Sequence, residues 1–191
     1  LTMNKRGKLI VLSGPSGVGK TSICQRMLNS RSDIRYSVSV TSRPMRAGEK
    51  NNREYIFLTE AEFKDWIEKD CFVEYAWVHG NLYGTLRQTL ENTLNKGYHV
   101  LMDIDVHGAH VLMNFYRDGL YFFIVPPNFA ALEQRLIKRN TEKNEVIKNR
   151  LAQAFEELKY KSDYKYIIEN RDLGKTVKQI LSIIEKEIAS G

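Results

Sequence analysis

The sequence predicts a three-layer α/β domain whose core holds a parallel sheet, interrupted by a small inserted lobe with a mixed sheet of its own. Three observations predict it. A short apolar strand at residues 8–13 runs directly into a glycine-rich turn and then a helix. From residue 85 onward, apolar strands and helices alternate, the pattern of a doubly wound parallel sheet. Between these, residues 37–87 gather short β-rich segments, and no Gly/Ser linker marks the edges of that stretch. The lobe is therefore read as an excursion from one domain, for which 191 residues is a suitable length.

Each element has its own reason. Residues 8–13 are short, β-branched and bounded by glycine, hence a buried strand. A helix is expected over 21–29. YSVSVT, residues 36–41, alternates like a half-buried strand, and the polar stretch 42–53, with Pro44 and Gly48, reads as a loop. A short strand follows at 54–58. Thr59 and Glu62 form a capping box opening a helix that carries Phe63, Trp66 and Ile67 on one face. Residues 71–78 read as a strand and HGNLYGT as a turn. The helix at 85–96 stops at Gly97. Strands are expected at 98–104 and 120–125, the second ended by Pro126-Pro127, with a helix at 106–116 between them. Helices at 129–139 and 145–161, a strand at 166–168 and a helix at 177–188 complete the chain.

Composition limits the partners. The formal charge is +6, so an anionic partner suits the chain, but charge alone does not choose among nucleic acid, membrane and a small phosphate ester. No dense Lys/Arg run with interleaved aromatics supports a nucleic-acid platform. No apolar run approaches the roughly 20 residues that span a bilayer. The two cysteines, Cys24 and Cys71, have neither zinc nor C-x-x-C spacing and read as reduced thiols.

GPSGVGKT, residues 14–21, matches G-x-x-x-x-G-K-[ST] and sits between the first strand and helix. Gly14, Gly17 and Gly19 let the backbone around Pro15, Ser16 and Val18 turn tightly and aim its N–H groups at a polyphosphate. The helix start adds its positive dipole end, Lys20 a point charge and Thr21 a hydroxyl for magnesium. The pattern predicts a phosphate-binding loop (P-loop) for a nucleoside triphosphate. The strand ending LMDID places Asp103 where a P-loop protein holds magnesium. A strand-end carboxylate can equally cap the next helix, and Asp105 is the better candidate for that. In the inserted lobe, Arg43, Arg46, Lys50 and Arg53 flank a proline on a loop, with Tyr55, Glu74 and Tyr83 beyond. Such charge is often only a solvated face. Here it interrupts a P-loop core, where an acceptor-binding lobe would sit, and tyrosine can donate its O–H to phosphate.

The chain resembles the guanylate kinases in collinear order over nearly its whole length. The resemblance rests on GPSGVGKT, SVSVTSRPMRAGEKNNREY (residues 37–55), FVEYAWVHGNLYGT (72–85), LMDIDVHGA (101–109), IVPP (124–127) and RLIKRNTE (135–142), with Arg150 beyond. The P-loop is shared by many enzymes; the arginine-rich and V-E-Y-A segments are specific. The resemblance implies a P-loop NTPase core over residues 4–36, 88–127 and 158–191, a GMP-binding lobe over 37–87 and a helical lid over 128–157. It implies that Arg43, Arg46, Tyr55 and Tyr83 hold the acceptor phosphate, and that Ser39, Glu74, Thr85 and Asp105 address guanine. Guanine presents N–H donors on its Watson–Crick edge, so an acceptor-only carboxylate such as Glu74 favours it over adenine. Arg135, Arg139 and Arg150 would reach the transferring phosphate or, in one case, the adenine, which Asn170 also approaches. Three positions depart from the family pattern: proline is shifted by one within Arg43-Pro44-Met45-Arg46, Asn140 replaces a glycine, and Arg171 replaces an aspartate.

The expected reaction is magnesium-dependent transfer from ATP to GMP. Lys20, Arg43, Arg135 and Arg150 would stabilise charge, and none of the four histidines would be catalytic. A monomeric or homodimeric cytoplasmic enzyme, without nucleic-acid or membrane partners, is expected. Two alternatives stay open: a P-loop kinase for another small phosphate acceptor, and a non-catalytic interaction module of the same fold.

Overall fold

The computed structural model describes residues 5–52, 55–78, 80–138 and 144–190. Five strands form the core sheet: β1 (Leu9–Ser13), β2 (Ile34–Tyr36), β7 (His99–Asp103), β8 (Leu120–Val125) and β9 (Tyr166–Glu169). Their order is β2-β7-β1-β8-β9, and every pairing is parallel. β1 is central and buried along its whole length. Its alternate side chains enter two different cores, as the two-residue period of a strand requires. Ile10 and Leu12 pack with Ile23, Met27 and Ile180 beneath α1 (Lys20–Ser30) and α7 (Leu173–Ser190). Leu9 and Val11 pack with Leu90, Leu94 and Leu112 beneath α3 (Arg87–Asn95) and α4 (Val106–Phe115). Burial on both faces explains why this strand reads as an unbroken apolar run. Each such side chain contributes about 1.5–3 kcal/mol by leaving water, which makes β1 a rigid base for the loop that follows it.

The inserted lobe is a second sheet, order β4-β3-β6-β5, built from β3 (Ser39–Thr41), β4 (Tyr55–Phe57), β5 (Phe72–Val78) and β6 (Asn81–Leu86). β3 runs parallel to β4 and antiparallel to β6, and β5 with β6 makes a hairpin, so the sheet is mixed. α2 (Glu60–Glu68) covers it through Phe63, which stacks on Phe72 with ring centroids 4.4 Å apart. The reciprocal cap of Thr59 and Glu62 is formed at its start. α5 (Phe129–Lys138) and α6 (Asn144–Leu158) share a small core of Leu132, Leu136, Leu151 and Ala154. Among the described residues no helix is long and apolar enough to cross a membrane.

The α/β class and its parallel sheet are those the sequence predicts. Five local expectations are corrected. Residues 36–41 are not one strand. Tyr36 ends β2, paired with Leu101 in the core, and Ser39 begins β3, paired with Tyr55 in the lobe. The alternation is real, but the two halves have different partners, which periodicity cannot register. HGNLYGT is not a turn beyond Gly80: Asn81–Leu86 is β6. Its glycine serves packing, because a Cβ at Gly84 would lie 2.8 Å from Phe72 and 3.1 Å from Phe63. The next helix consequently starts at Arg87, two residues later than the sequence predicts, since Thr85 belongs to the strand. The helix predicted at 145–161 ends at Leu158 and passes into a 3₁₀ turn, Lys159–Asp163. The last helix begins earlier than predicted, at Leu173, where the Asp172 carboxylate accepts from the backbone N–H of Lys175.

Candidate active site

The site lies at the carboxyl ends of β1 and β7, where the strand order diverges on either side of β1 and open α/β sheets bind ligands. The loop leaving β1 has left-handed backbone at Gly19 (φ 105°), and this residue caps α1 with no side-chain hydrogen bond. The first turn of α1 therefore has no capping side chain over its backbone N–H groups, the condition in which a helix start can receive an anion. A Cβ on Gly14 would come within 2.3 Å of the Ile124 carbonyl oxygen, so only glycine lets β1 turn off so close to β8. Lys20 is folded back, its ammonium donating to the carbonyls of Gly14 and Pro15. Burial lowers its pKa, while Asp103 and Glu157 oppose that shift. Thr21 Oγ1 donates to Asp103 Oδ2 at 3.0 Å. The two residues predicted to hold a cation are thus in contact.

A cavity of about 560 Å³ opens over this loop, lined by Gly14, Ser16, Lys20, Asp103, Asp105 and Glu157 among others. His107 is also among its lining residues and packs edge-on against Tyr160. From α6, Arg150 Nη2 lies 3.3 Å from Ser16 Oγ. Glu157, two turns further along the same face, confronts Lys20 and the backbone of Ser16, and burial raises its carboxyl pKa. Arg135, expected to stabilise charge on the transferring phosphate, is placed differently, away from the cavity over the phosphate loop. Its guanidinium donates to the carbonyls of Val18 (3.1 Å) and Asn170 (2.8 Å). Asn170 is buried, and its Nδ2 also donates to Val18 O at 2.8 Å. With Gly17, Gly19 and Arg171 these two border a separate cavity of about 420 Å³. Arg139 and Asn140 lie outside the described residues.

The lobe supplies a smaller cavity of about 180 Å³, walled by Tyr36, Ser39, Tyr55, Glu74, Tyr83 and Asp105 among others. Glu74 is only 8% exposed and accepts from Thr85 Oγ1 at 2.6 Å. Burial, reinforced by Asp105 and resisted by the Thr85 hydroxyl, pushes its pKa up to about 7. Asp105 performs the capping role expected of it, accepting from Gly108 N at 2.8 Å at the start of α4, and also borders both cavities. Tyr55 and Tyr83 meet edge to face at 5.9 Å. Arg43 is buried beside them. It forks onto Glu49 with bonds of 2.8 and 3.1 Å and donates to Pro44 O at 2.7 Å. Glu49 also accepts from the backbone N–H of Arg46, whose exposed side chain lies outside the cavity lining. The sequence reading missed Glu49, Tyr36 and Glu157. Glu49 lies within the arginine-rich segment and Glu157 stands seven residues, two helical turns, beyond Arg150. Tyr36 carried no signal beyond strand alternation.

The two cavities share Val78, Asp103, Ile104 and Asp105. A phosphate loop and a second polar pocket meeting at one wall define a P-loop phosphotransferase acting between two small bound molecules. A sequence model of the family described as guanylate kinase matches residues 6–187. A guanylate kinase of Caldanaerobacter subterraneus is 40% identical over 187 residues, covering 98% of this chain and 91% of the relative. One from Thermotoga maritima is 41% identical over 184 residues, covering 96% and 89%. The crystal structure of guanylate kinase from Anaplasma phagocytophilum superposes with a TM-score of 0.79 at 33% identity, covering 96% of this chain and 87% of that one. The chain belongs to the guanylate kinase family, the ATP:GMP phosphotransferases.

Proposed function

We propose that this chain transfers the γ-phosphoryl group of magnesium-bound ATP to GMP, giving ADP and GDP, with the donor on the phosphate loop and the acceptor in the lobe. The observation that carries the proposal is the shared wall of the two cavities at Val78 and residues 103–105, across which donor and acceptor phosphates would meet. The oxygen donors of Thr21 and Asp103 suit magnesium, a hard cation commonly held by one or two protein oxygens together with phosphates and water. When bound, magnesium offsets charge on the β and γ phosphates.

The backbone of residues 16–21 cradles the donor phosphates. Lys20 exchanges its bonds to Gly14 and Pro15 for bonds to phosphate oxygens, and Arg150 approaches from α6. Arg135 and Asn170, bordering the third cavity, serve the adenine side of the donor site. In the lobe, Arg43, Arg46, Tyr55 and Tyr83 hold the GMP phosphate. The incoming phosphate competes with Glu49 for the Arg43 fork, a geometry that fits both. Glu74 in its ionised form accepts from guanine N–H groups, with Ser39, Thr85 and Asp105 around it. The attacking atom is a phosphate oxygen already ionised at neutral pH, so catalysis is positioning and charge stabilisation without a general base.

A coupled ADP-release assay over GMP, AMP, UMP and CMP tests this. Turnover with GMP alone is expected; Lys20→Ala abolishes it, while Glu74→Gln chiefly raises the KM for GMP. Equal turnover with AMP would refute the acceptor assignment.

A further inference from the structure

We infer that Tyr36 is a positioning residue that fixes the carboxylate of Asp103 for the divalent cation. The inference rests on the assignment of Asp103 and Thr21 to magnesium. Tyr36 is the last residue of β2 and pairs with Leu101, two residues before Asp103 on β7. The two-residue period of a strand places positions 101 and 103 on one face, so the long Tyr36 side chain can run along β7 to its end. Its hydroxyl donates to Asp103 Oδ1, while Thr21 Oγ1 donates to Oδ2. One donor comes from the edge strand and the other from the first turn of α1. The carboxylate is thereby held from both oxygens.

That restraint has a chemical consequence. Magnesium demands near-octahedral geometry, and a carboxylate free to turn about its last torsion meets that demand less often. Hydrogen bonds to metal-holding carboxylates commonly alter metal affinity by about 10–100-fold. The Tyr36 ring also walls the acceptor cavity, but its hydroxyl is committed to Asp103. Removing only the hydroxyl should therefore affect the cation and spare the acceptor.

The test is Tyr36→Phe in the full chain, which keeps the ring. Binding of a fluorescent ATP analogue is titrated with Mg²⁺, and Mn²⁺ binding in the presence of ATP is followed by electron paramagnetic resonance. The midpoint for either cation is expected to rise about tenfold, with analogue affinity in the absence of cation and GMP affinity both within about twofold of the parent. Asp103→Asn is run beside it, alone and combined with Tyr36→Phe. Where Asp103→Asn is already present, the tyrosine change should add nothing, a dependence that a merely structural contribution of the ring would not show. An unchanged cation midpoint in Tyr36→Phe, where Asp103→Asn does shift it, overturns the inference. So does a loss of GMP affinity with the cation midpoint unmoved. An Asp103→Asn protein with parental cation dependence overturns instead the magnesium assignment beneath it.

Discussion

In the proposed function, Glu74 serves binding at the expense of stability. Its carboxyl is buried beside Asp105, with the Thr85 hydroxyl as its hydrogen-bond donor, and its pKa lies at about 7 against an ordinary value of 4.5. A folded-state pKa raised above the unfolded one means that the folded protein keeps this proton longer. The associated stability is complete below about pH 4.5 and is lost as pH rises through about 7. The gap of about 2.5 pH units corresponds to an energy on the order of 3 kcal/mol. Glu74→Gln removes the ionisation and keeps the shape. Urea unfolding of the two ligand-free proteins is expected to agree near pH 4.5 and to diverge above it, with the Gln variant more stable by on the order of 3 kcal/mol at pH 8. GMP binding should move oppositely. Loss of charge-assisted bonds to guanine raises its KM by about 10–100-fold. Parallel pH–stability curves for the two proteins would mean that this carboxyl titrates normally and that its burial has no cost.

At the scale of elements, the loop between β1 and α1 depends on its neighbours as much as on its own glycines. Val18 O receives hydrogen bonds from Arg135 on α5 and from Asn170 at the end of β9, so the loop is clamped from two later elements. A Cβ on Gly19 would lie 2.6 Å from Asn170 Nδ2, and its φ of 105° is already hostile to any L side chain. Gly19→Ala should therefore weaken ATP binding by more than tenfold, read by calorimetric titration, with far-ultraviolet circular dichroism unchanged. Parental affinity would show that the loop relaxes around the methyl group. These contacts also mark what the sequence could disclose. The phosphate loop, the capping box of Thr59 with Glu62 and the apolar β1 were legible because their causes lie within a few residues. The division of residues 36–41 between two sheets was not, since it depends on Leu101 and Tyr55. β6 was hidden because Gly80, Asn81 and Gly84 are turn-forming types, and only the packing of Phe72 and Phe63 explains Gly84. Glu49 and Tyr36 escaped notice for the same reason: each acquires its meaning from a partner that the fold supplies, Arg43 in one case and Asp103 in the other.

Across the whole molecule, three cations of the site are satisfied internally: Lys20 by Gly14 and Pro15, Arg43 by Glu49, Arg135 by Val18 and Asn170. On the proposed assignment, the negative charge of two substrates would draw Lys20 and Arg43 away from those partners. They bring it from opposite sides, one across the phosphate loop and one into the lobe. Because the two cavities share the wall at Asp103 and Asp105, filling one side alone would, on the proposed assignment, leave that wall open to water through the neighbouring cavity. Water there competes with the acceptor for the γ-phosphoryl group, and excluding it requires both sides to be filled. ATP alone should therefore be hydrolysed slowly, and added GMP should divert turnover to transfer and reduce the hydrolysis. Phosphate, ADP and GDP measured in one reaction resolve the two fates: the ratio of phosphate to ADP is expected to fall toward zero as GMP saturates, with GDP rising to match ADP. A ratio that stays constant across the GMP titration would mean that acceptor binding does nothing to dry the donor site. The lobe would then serve to hold the acceptor without helping to enclose the reaction.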